Sequence, residues 1–197
     1  MRTLVRSVGR PSIGGEPLPS CFKAFDTNKI ILRRSEVSMF AAAPGVGKST
    51  LALALALKMR VPTLYISADT NAHTMAMRLY SMITGTSQND AERIISEDPY
   101  NAKNKLQLAS HIYWSFDSNP TLSDIDDEVT AIEELLGESP GLIVIDNLMD
   151  ISMDGGEEFA ILLPHIDYRG ALDLARRLRI LFAKHPFSIR SREVNVT

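Results

Sequence analysis

A glycine-rich segment at residues 42–50 contains the residue types needed to hold a phosphate chain, reading Ala-Ala-Pro-Gly-Val-Gly-Lys-Ser-Thr. Gly45 and Gly47 let the backbone turn without a Cβ in the way, so that successive N–H groups can face an anion. Lys48 supplies a positive charge for the β- and γ-phosphates, and Ser49 offers a hydroxyl to Mg²⁺. A helix beginning here would direct the positive end of its dipole at the same anion. The segment therefore predicts a phosphate-binding P-loop.

The predicted ligand is ATP with Mg²⁺, and the predicted contacts cover the whole motif. Thr50 is expected to bond the α-phosphate region, and Ala42 occupies the first motif position, where glycine is more common. The predicted nucleotide-binding residues are Ala42, Ala43, Pro44, Gly45, Val46, Gly47, Lys48, Ser49 and Thr50.

The segments on either side of the motif are those that a P-loop requires. Residues 36–41 form a short apolar run suited to a buried strand. Residues 51–59 alternate Leu and Ala, which are strong helix formers, and include no β-branched residue before Met59, so they predict a buried helix. A chance glycine-rich turn would not need this strand, loop and helix, so nucleotide binding is the preferred interpretation.

A second buried run, residues 142–146, consists of four apolar residues followed by Asp146. In a P-loop protein, a carboxylate at the end of such a strand lies beside the P-loop and holds Mg²⁺, directly or through water. Ser49 and Asp146 are therefore the predicted metal-binding residues. The alternative is a strand that ends at a solvated turn, with Asp146 and Asn147 as ordinary turn residues.

Asp69 follows another predicted strand, at residues 61–67, and is a candidate catalytic residue together with Lys48. Hydrolysis needs a group that orients the attacking water, and an acid at the carboxyl end of a neighbouring strand is well placed for this. The alternative is that Asp69 caps a helix, since Asp69, Thr70 and Asn71 are all good N-cap residues.

The remaining pattern alternates strands with helices, which favours an α/β domain with a mainly parallel sheet. Residues 187–189 are a weak strand candidate. The other predicted strands are residues 111–116 and 141–146, and the predicted helices are residues 71–83, two short helices around Pro99, residues 122–136, and a long helical pattern at residues 157–183 that Pro164 and Gly170 interrupt.

The bulk composition is that of a soluble globular protein with one domain. The chain has 197 residues and a formal charge of −3, which implies no general affinity for nucleic acid or anionic membranes. Its single cysteine, Cys21, cannot form an internal disulfide, so a reducing, cytoplasmic setting is expected. No membrane span or signal peptide is evident in the sequence.

The charge distribution changes abruptly near residue 168. Residues 106–168 hold 14 acids and no Lys or Arg, whereas residues 169–197 hold seven Lys and Arg and two acids. We interpret residues 1–20 as a flexible N-terminal arm, residues 21–168 as the core, and residues 169–197 as a basic helix and tail. A further hypothesis is that this tail is foreign to the domain, through a frameshift or truncation.

With these segments in place, the chain resembles the RecA-like superfamily and, within it, the ATPase domain of DnaB-like replicative helicases. The resemblance covers about residues 30–155. It is carried by residues 31–37 before the P-loop, residues 66–69 with Met75, Arg78 and Leu79, residues 115–120 with Leu122 and Ile125, and residues 142–150.

The resemblance implies a RecA-like three-layer sandwich, incomplete at its C-terminus, and assembly into a homo-oligomeric ring or filament that completes the site in trans. DNA would be bound through that oligomer. Asp69 falls where the family carries a catalytic Glu, although Asp is one methylene shorter. Arg190 and Arg192 are weak candidates for the arginine finger that the family supplies to a neighbour, and a mobile basic tail is the alternative.

Three other functions compete with a helicase motor. The first is a RecA-like ATPase of recombination, repair or plasmid replication. The second is a nucleotide-binding assembly module that does not hydrolyse ATP. The third is a small-molecule kinase, for which the only sequence feature is the cluster Arg176, Arg177 and Arg179.

Overall fold

The computed structural model describes residues 15–34, 36–41, 45–146, 159–163, 187–189 and 192–194. The helices are α1 (Lys23–Thr27), α2 (Lys48–Met59), α3 (Ala72–Thr84), α4 (Gln88–Glu97), α5 (Pro99–Leu106) and α6 (Leu122–Leu136), with a short 3-10 helix at Gln107–Ala109. The strands are β1 (Ser38–Ala41), β2 (Thr63–Ser67), β3 (Ile112–Ser115), β4 (Leu142–Asp146), β5 (Phe159–Leu163), β6 (Phe187–Ile189) and β7 (Arg192–Val194).

Five strands form the main sheet in the order β1-β5-β4-β2-β3. Strand β2 lies between β4 and β3 and is parallel to both. Strand β5 is antiparallel to β1 and to β4, so the other four strands share one direction. The predicted α/β fold with a mainly parallel sheet is confirmed, and the carboxyl ends of β2 and β4 reach the same edge, where Ser67 is opposite Asp146.

The two central strands are buried on both faces, and alternation along them produces two separate apolar clusters. Leu64 and Ile66 of β2 pack with Ile143 and Ile145 of β4 and with α6 residues such as Ile132. Tyr65 of β2 packs on the opposite face with Leu142, Val144 and the buried side of α2. Side chains two residues apart in a strand share a face, so Asp146 lies on the α2 face with Val144.

Helix α2 packs against that face because most of its surface is apolar. Leu53 and Leu55 are fully buried, whereas Lys58 is exposed near its end. The helix begins directly after Gly47 and ends before Arg60, both of which adopt left-handed backbone conformations. The prediction of a buried helix after the glycine-rich loop is thus confirmed, despite the strand-like alternation of Leu and Ala.

The remaining predicted helices also form, because each has a suitable start or stop residue. The side chain of Asn71 caps α3, and Ser87 caps α4. Asp98 caps α5, which has Pro99 in its first turn. Thr121 and Asp124 form a reciprocal capping box on α6, and left-handed Gly137 ends that helix.

The long helix predicted at residues 157–183 is wrong for residues 159–163, which form β5. This apolar Phe-Ala-Ile-Leu-Leu segment pairs with both β1 and β4, and the sheet contacts override its helix propensity. Pro164 follows immediately, and a residue that precedes proline favours extended backbone. The rest of that predicted helix lies outside the described residues, whereas the strand predicted at residues 187–189 is present as β6.

Part of the predicted N-terminal arm of residues 1–20 is attached to the domain. Pro17 forms an isolated antiparallel bridge with Arg33, and the Leu18 N–H donates to the Leu32 carbonyl at 2.8 Å. Leu18 is 5% exposed and belongs to the same apolar cluster as α2. Within the described residues, the packed domain therefore begins before residue 21.

Candidate functional site

The end of the glycine-rich loop adopts a conformation that depends on glycine. Gly45 has φ 76° and Gly47 has φ 99°, a left-handed region in which a Cβ would strain the backbone. Gly47 immediately precedes α2, so the end of the helix at which backbone N–H groups have no acceptor within the helix lies at the loop. Of the predicted nucleotide-binding residues, Ala42, Ala43 and Pro44 lie outside the described residues.

The two predicted metal-binding residues are in contact. Ser49 Oγ, in the first turn of α2, donates a hydrogen bond to Asp146 Oδ1 at 3.0 Å across 97 positions of sequence. Asp146 is the last residue of β4 and is only 4% exposed, so it is not a residue of a solvated turn. The alternative turn interpretation of Asp146 is therefore contradicted.

The second oxygen of this carboxylate is held by a residue that the sequence analysis missed. Tyr65, in the middle of β2, donates its hydroxyl hydrogen to Asp146 Oδ2 at 2.7 Å. Alternation in the sequence could have revealed it, because Thr63, Tyr65 and Ser67 place three hydroxyls on one face of an otherwise apolar strand. The same alternation places Asp146 on that face.

Burial raises the pKa of the Asp146 carboxyl above its ordinary value of 3.8. The hydrogen bonds from Tyr65 and Ser49 oppose this shift, because they stabilise the charged form. The charge of Asp69 adds to the rise in pKa, and the charge of Arg78 lowers it. A cation placed at this carboxylate would replace the solvation that burial has removed.

Burial also raises the pKa of the Tyr65 hydroxyl well above its ordinary value, and the neighbouring Asp146 charge raises it further. Tyr65 is fully buried, with its ring 4.9 Å from the ring of Trp114. The phenol therefore stays protonated and acts as a donor toward Asp146.

Asp69 lies just beyond β2, at the same edge of the sheet as Asp146, and its side chain is exposed. It accepts a hydrogen bond from Thr70 Oγ1 at 2.8 Å, whereas the cap of α3 is Asn71. The alternative role of Asp69 as a helix cap is therefore contradicted. Asp69 is close enough for its charge to raise the pKa of both Tyr65 and Asp146.

Ser67 stabilises the turn that contains Asp69. This side chain is 1% exposed, and its hydroxyl donates to the Thr70 carbonyl at 3.1 Å. The Ala68 N–H donates to the Asp146 carbonyl at 3.1 Å, which continues the β2–β4 ladder past the last strand residue. These two bonds fix the backbone on each side of Ala68 and thereby limit where Asp69 can move.

The residues at this edge fit a magnesium ion. Neighbouring ligands in an octahedron of radius about 2.0–2.1 Å lie about 3 Å apart, which matches the 3.0 Å between Ser49 Oγ and Asp146 Oδ1. No cluster of three or more His, Cys, Asp and Glu among the described residues could hold a metal instead. Mg²⁺ commonly takes one or two protein ligands and completes its shell with water and phosphate oxygens.

Two of the other predicted site residues, Lys48 and Thr50, flank Ser49 in the sequence. Lys48 is the first residue of α2 and is partly exposed, while Thr50 is exposed one position beyond Ser49. Arg192 lies in β7. The remaining arginine candidates, Arg176, Arg177, Arg179 and Arg190, lie outside the described residues.

A glycine-dependent loop, a helix that begins at it, and a buried carboxylate against the helix's serine together define a P-loop nucleotide-binding domain. A profile described as AAA domain matches residues 28–160 of the chain. The chain therefore belongs to the AAA domain family of P-loop ATPases.

Two curated relatives come from bacteriophages. The Gene 65 protein of Mycobacterium phage L5 is 35% identical over 158 residues, which is 78% of this chain and 59% of that protein. The Gene 65 protein of Mycobacterium phage D29 is 35% identical over 134 residues, or 66% of this chain and 58% of that protein. The chain thus spans about three fifths of the length of the curated relatives it matches.

No solved structure matches the chain. Among the helices of the described ranges, none combines the length and apolar character that crossing a membrane requires.

Proposed function

We propose that the chain binds ATP with Mg²⁺ and hydrolyses it, as a motor similar to that of DnaB-like replicative helicases. The main support for the nucleotide site is the 3.0 Å hydrogen bond between Ser49, at the start of α2, and Asp146, at the end of β4. Membership of the AAA domain family supports ATP binding. The sequence resemblance at residues 30–155 supports the helicase-like form.

In this proposal each residue has one task. Lys48 neutralises phosphate charge, and Thr50 bonds the α-phosphate region. Ser49 and Asp146 hold Mg²⁺, which supplies further neutralisation of the phosphate oxygens when it is bound. Asp69 orients the attacking water, and its exposed position after β2 leaves room for that water.

Coupling of hydrolysis to movement along DNA would require neighbouring copies of the chain. A homo-oligomer would bring a partner's cationic group to the phosphates, as the resemblance implies, and DNA would be held by the assembly. The formal charge of −3 gives the chain no general attraction for DNA, so DNA contact in this proposal requires local surfaces of the assembly that carry Lys and Arg.

A second candidate function is a nucleotide-binding assembly module without turnover. The observation that favours it is the short reach of Asp69, whose carboxylate accepts a hydrogen bond from the adjacent Thr70 hydroxyl. A carboxylate held by its own turn is less able to orient a water molecule. Nucleotide binding without hydrolysis, unchanged by Asp69→Ala, would support this module over the motor.

The experiment is an ATPase assay with and without single-stranded DNA, on the wild type and Lys48→Ala, together with equilibrium ATP binding. Hydrolysis that DNA stimulates and Lys48→Ala abolishes would support the motor. Hydrolysis indifferent to DNA would support an ATPase of another purpose. If ATP binds to neither protein, or if both proteins bind and hydrolyse it equally, the proposed site itself is refuted.

A further inference from the structure

We infer that Tyr65 is a positioning residue for the metal site, and that its hydroxyl fixes the Asp146 carboxylate so that Oδ1 is presented beside Ser49. The inference rests on the proposed function, since it concerns the same Mg²⁺ site. It adds a residue from the interior of β2 that neither the P-loop motif nor the acidic end of β4 contains.

The geometry of the carboxylate gives the first argument. Oδ2 receives the Tyr65 hydroxyl at 2.7 Å, and Oδ1 receives the Ser49 hydroxyl at 3.0 Å. A carboxylate that is bonded through both oxygens to groups on two different elements has its rotation fixed. Because Tyr65 occupies Oδ2, Oδ1 is the oxygen that faces the serine at the start of α2.

The rigidity of Tyr65 gives the second argument. Its side chain is fully buried, and its ring lies 4.9 Å from that of Trp114. Trp114 is in turn stacked on Phe116, with ring centroids 5.7 Å apart and planes within 5°. A donor packed in this way does not reorganise when a metal arrives, so the carboxylate is oriented in advance.

The chemistry of the pair gives the third argument. A phenol donates one hydrogen bond and brings no charge, so it orients the carboxylate without neutralising it as Lys or Arg would. Tyr65 therefore brings no positive charge that would compete with a cation for Asp146. Residues that orient a metal ligand typically change metal affinity by about 10- to 100-fold when they are removed.

The test is a Mg²⁺ titration of ATP binding to the full chain, comparing the wild type with Tyr65→Phe. The matched control is Tyr113→Phe, which makes the same chemical change on β3, at a side chain packed on the opposite face of the sheet. Fluorescence of Trp114, the single tryptophan, reports binding close to the site, and ATP binding in excess EDTA gives the metal-free affinity.

We expect Tyr65→Phe to raise the half-saturating Mg²⁺ concentration about tenfold or more. Metal-free ATP binding should be unchanged, and Tyr113→Phe should match the wild type. The inference is overturned if Tyr65→Phe titrates like the wild type, or if metal-free and Mg²⁺-dependent binding weaken together, as a packing defect would cause. A wild type whose ATP binding ignores Mg²⁺ would instead refute the metal site of the proposed function.

Discussion

The two faces of the central strands β2 and β4 differ in chemistry although both are buried. The face toward α6 is formed by Leu64, Ile66, Ile143 and Ile145 and is entirely apolar. The face toward α2 carries Thr63, Tyr65 and Ser67 on β2 and Asp146 on β4, of which Tyr65 and Asp146 are joined directly.

This difference shows how one pair of strands serves both stability and chemistry. Alternation sends successive side chains to opposite faces, so a single strand can build an apolar core on one side and a polar network on the other. The polar network is on the side of α2 because that helix begins at the glycine-rich loop and brings Ser49 to the sheet edge. Substitutions on the two faces should therefore have separable effects.

The largest effect on ATP turnover is expected for a substitution at the start of α2, next to the glycine-rich loop. Lys48→Ala should lower ATP turnover about 100- to 1000-fold, the usual cost of removing one positioned group that stabilises charge in a transition state. Steady-state ATPase measurements check this. The matched control is Lys58→Ala at the other end of the helix, where the ammonium lies 4.6 Å from the Phe22 ring centre and where turnover should be unaffected.

Equal losses of ATP turnover in the Lys48→Ala and Lys58→Ala variants would mean that α2 supports turnover only through its packing. The chemistry would then not be concentrated at the loop end of the helix.

The next effect concerns the polar edge at which β2 and β4 end. Asp69→Asn should lower turnover about 100-fold while ATP binding is retained, because a general base or water-orienting group commonly contributes 10²–10⁴. Single-turnover hydrolysis and equilibrium binding separate the two steps. Asp117→Asn, an exposed acid just after the neighbouring strand β3, is the control. Unchanged turnover in Asp69→Asn would favour a different water-orienting group.

A smaller effect is expected on the apolar face. Ile66→Val should lower the free energy of unfolding by about 0.5–1.5 kcal/mol, since it removes one buried methylene group. Ile66 is 1% exposed and lies next to Tyr65 in sequence but on the other face. Urea unfolding measures the loss, and the Mg²⁺ dependence of ATP binding should match the wild type. A shift in that dependence would show that the two faces are coupled.

Much of this arrangement follows from local sequence. The glycines at 45 and 47, Asn71 at the start of α3 and Gly137 at the end of α6 each act within a few residues, so the predicted elements around them are confirmed. The pairing of Ser49 with Asp146 was also predictable in outline, because parallel strands place their carboxyl ends at one edge.

The features that could not be predicted from the sequence depend on contacts between segments that are distant in the chain. Phe159–Leu163 has helix-forming residues and becomes β5 only because β1 and β4 offer unpaired backbone groups on both sides. The role of Tyr65 depends on the register in which Ser67 is opposite Asp146, which no local pattern specifies. Asp69 could be a cap or a site residue on sequence alone, and the position of Asn71 excluded the cap.

The smallest effect is a dependence of stability on pH that arises from the polar face. Burial raises the pKa of Asp146 in the folded protein, so the folded state binds more protons than the unfolded state above the ordinary carboxyl value of 3.8. The contribution of Asp146 to the free energy of unfolding should therefore fall as pH rises above this value. The facing groups Tyr65, Ser49, Asp69 and Arg78 are common to the wild type and Asp146→Asn, so a difference between the two proteins isolates the carboxylate.

We expect the free energy of unfolding of the wild type, relative to Asp146→Asn, to decrease in EDTA as pH rises above about 4. Urea unfolding at each pH measures it, and Asp127→Asn on the exposed side of α6 is the control for substitution of an acid. Adding Mg²⁺ at saturating ATP and neutral pH should then stabilise the wild type more than Asp146→Asn, because only the wild type has the carboxylate for the metal. A pH-independent difference would mean that Asp146 binds the same number of protons in the folded and unfolded states, so that burial on the polar face does not raise its pKa.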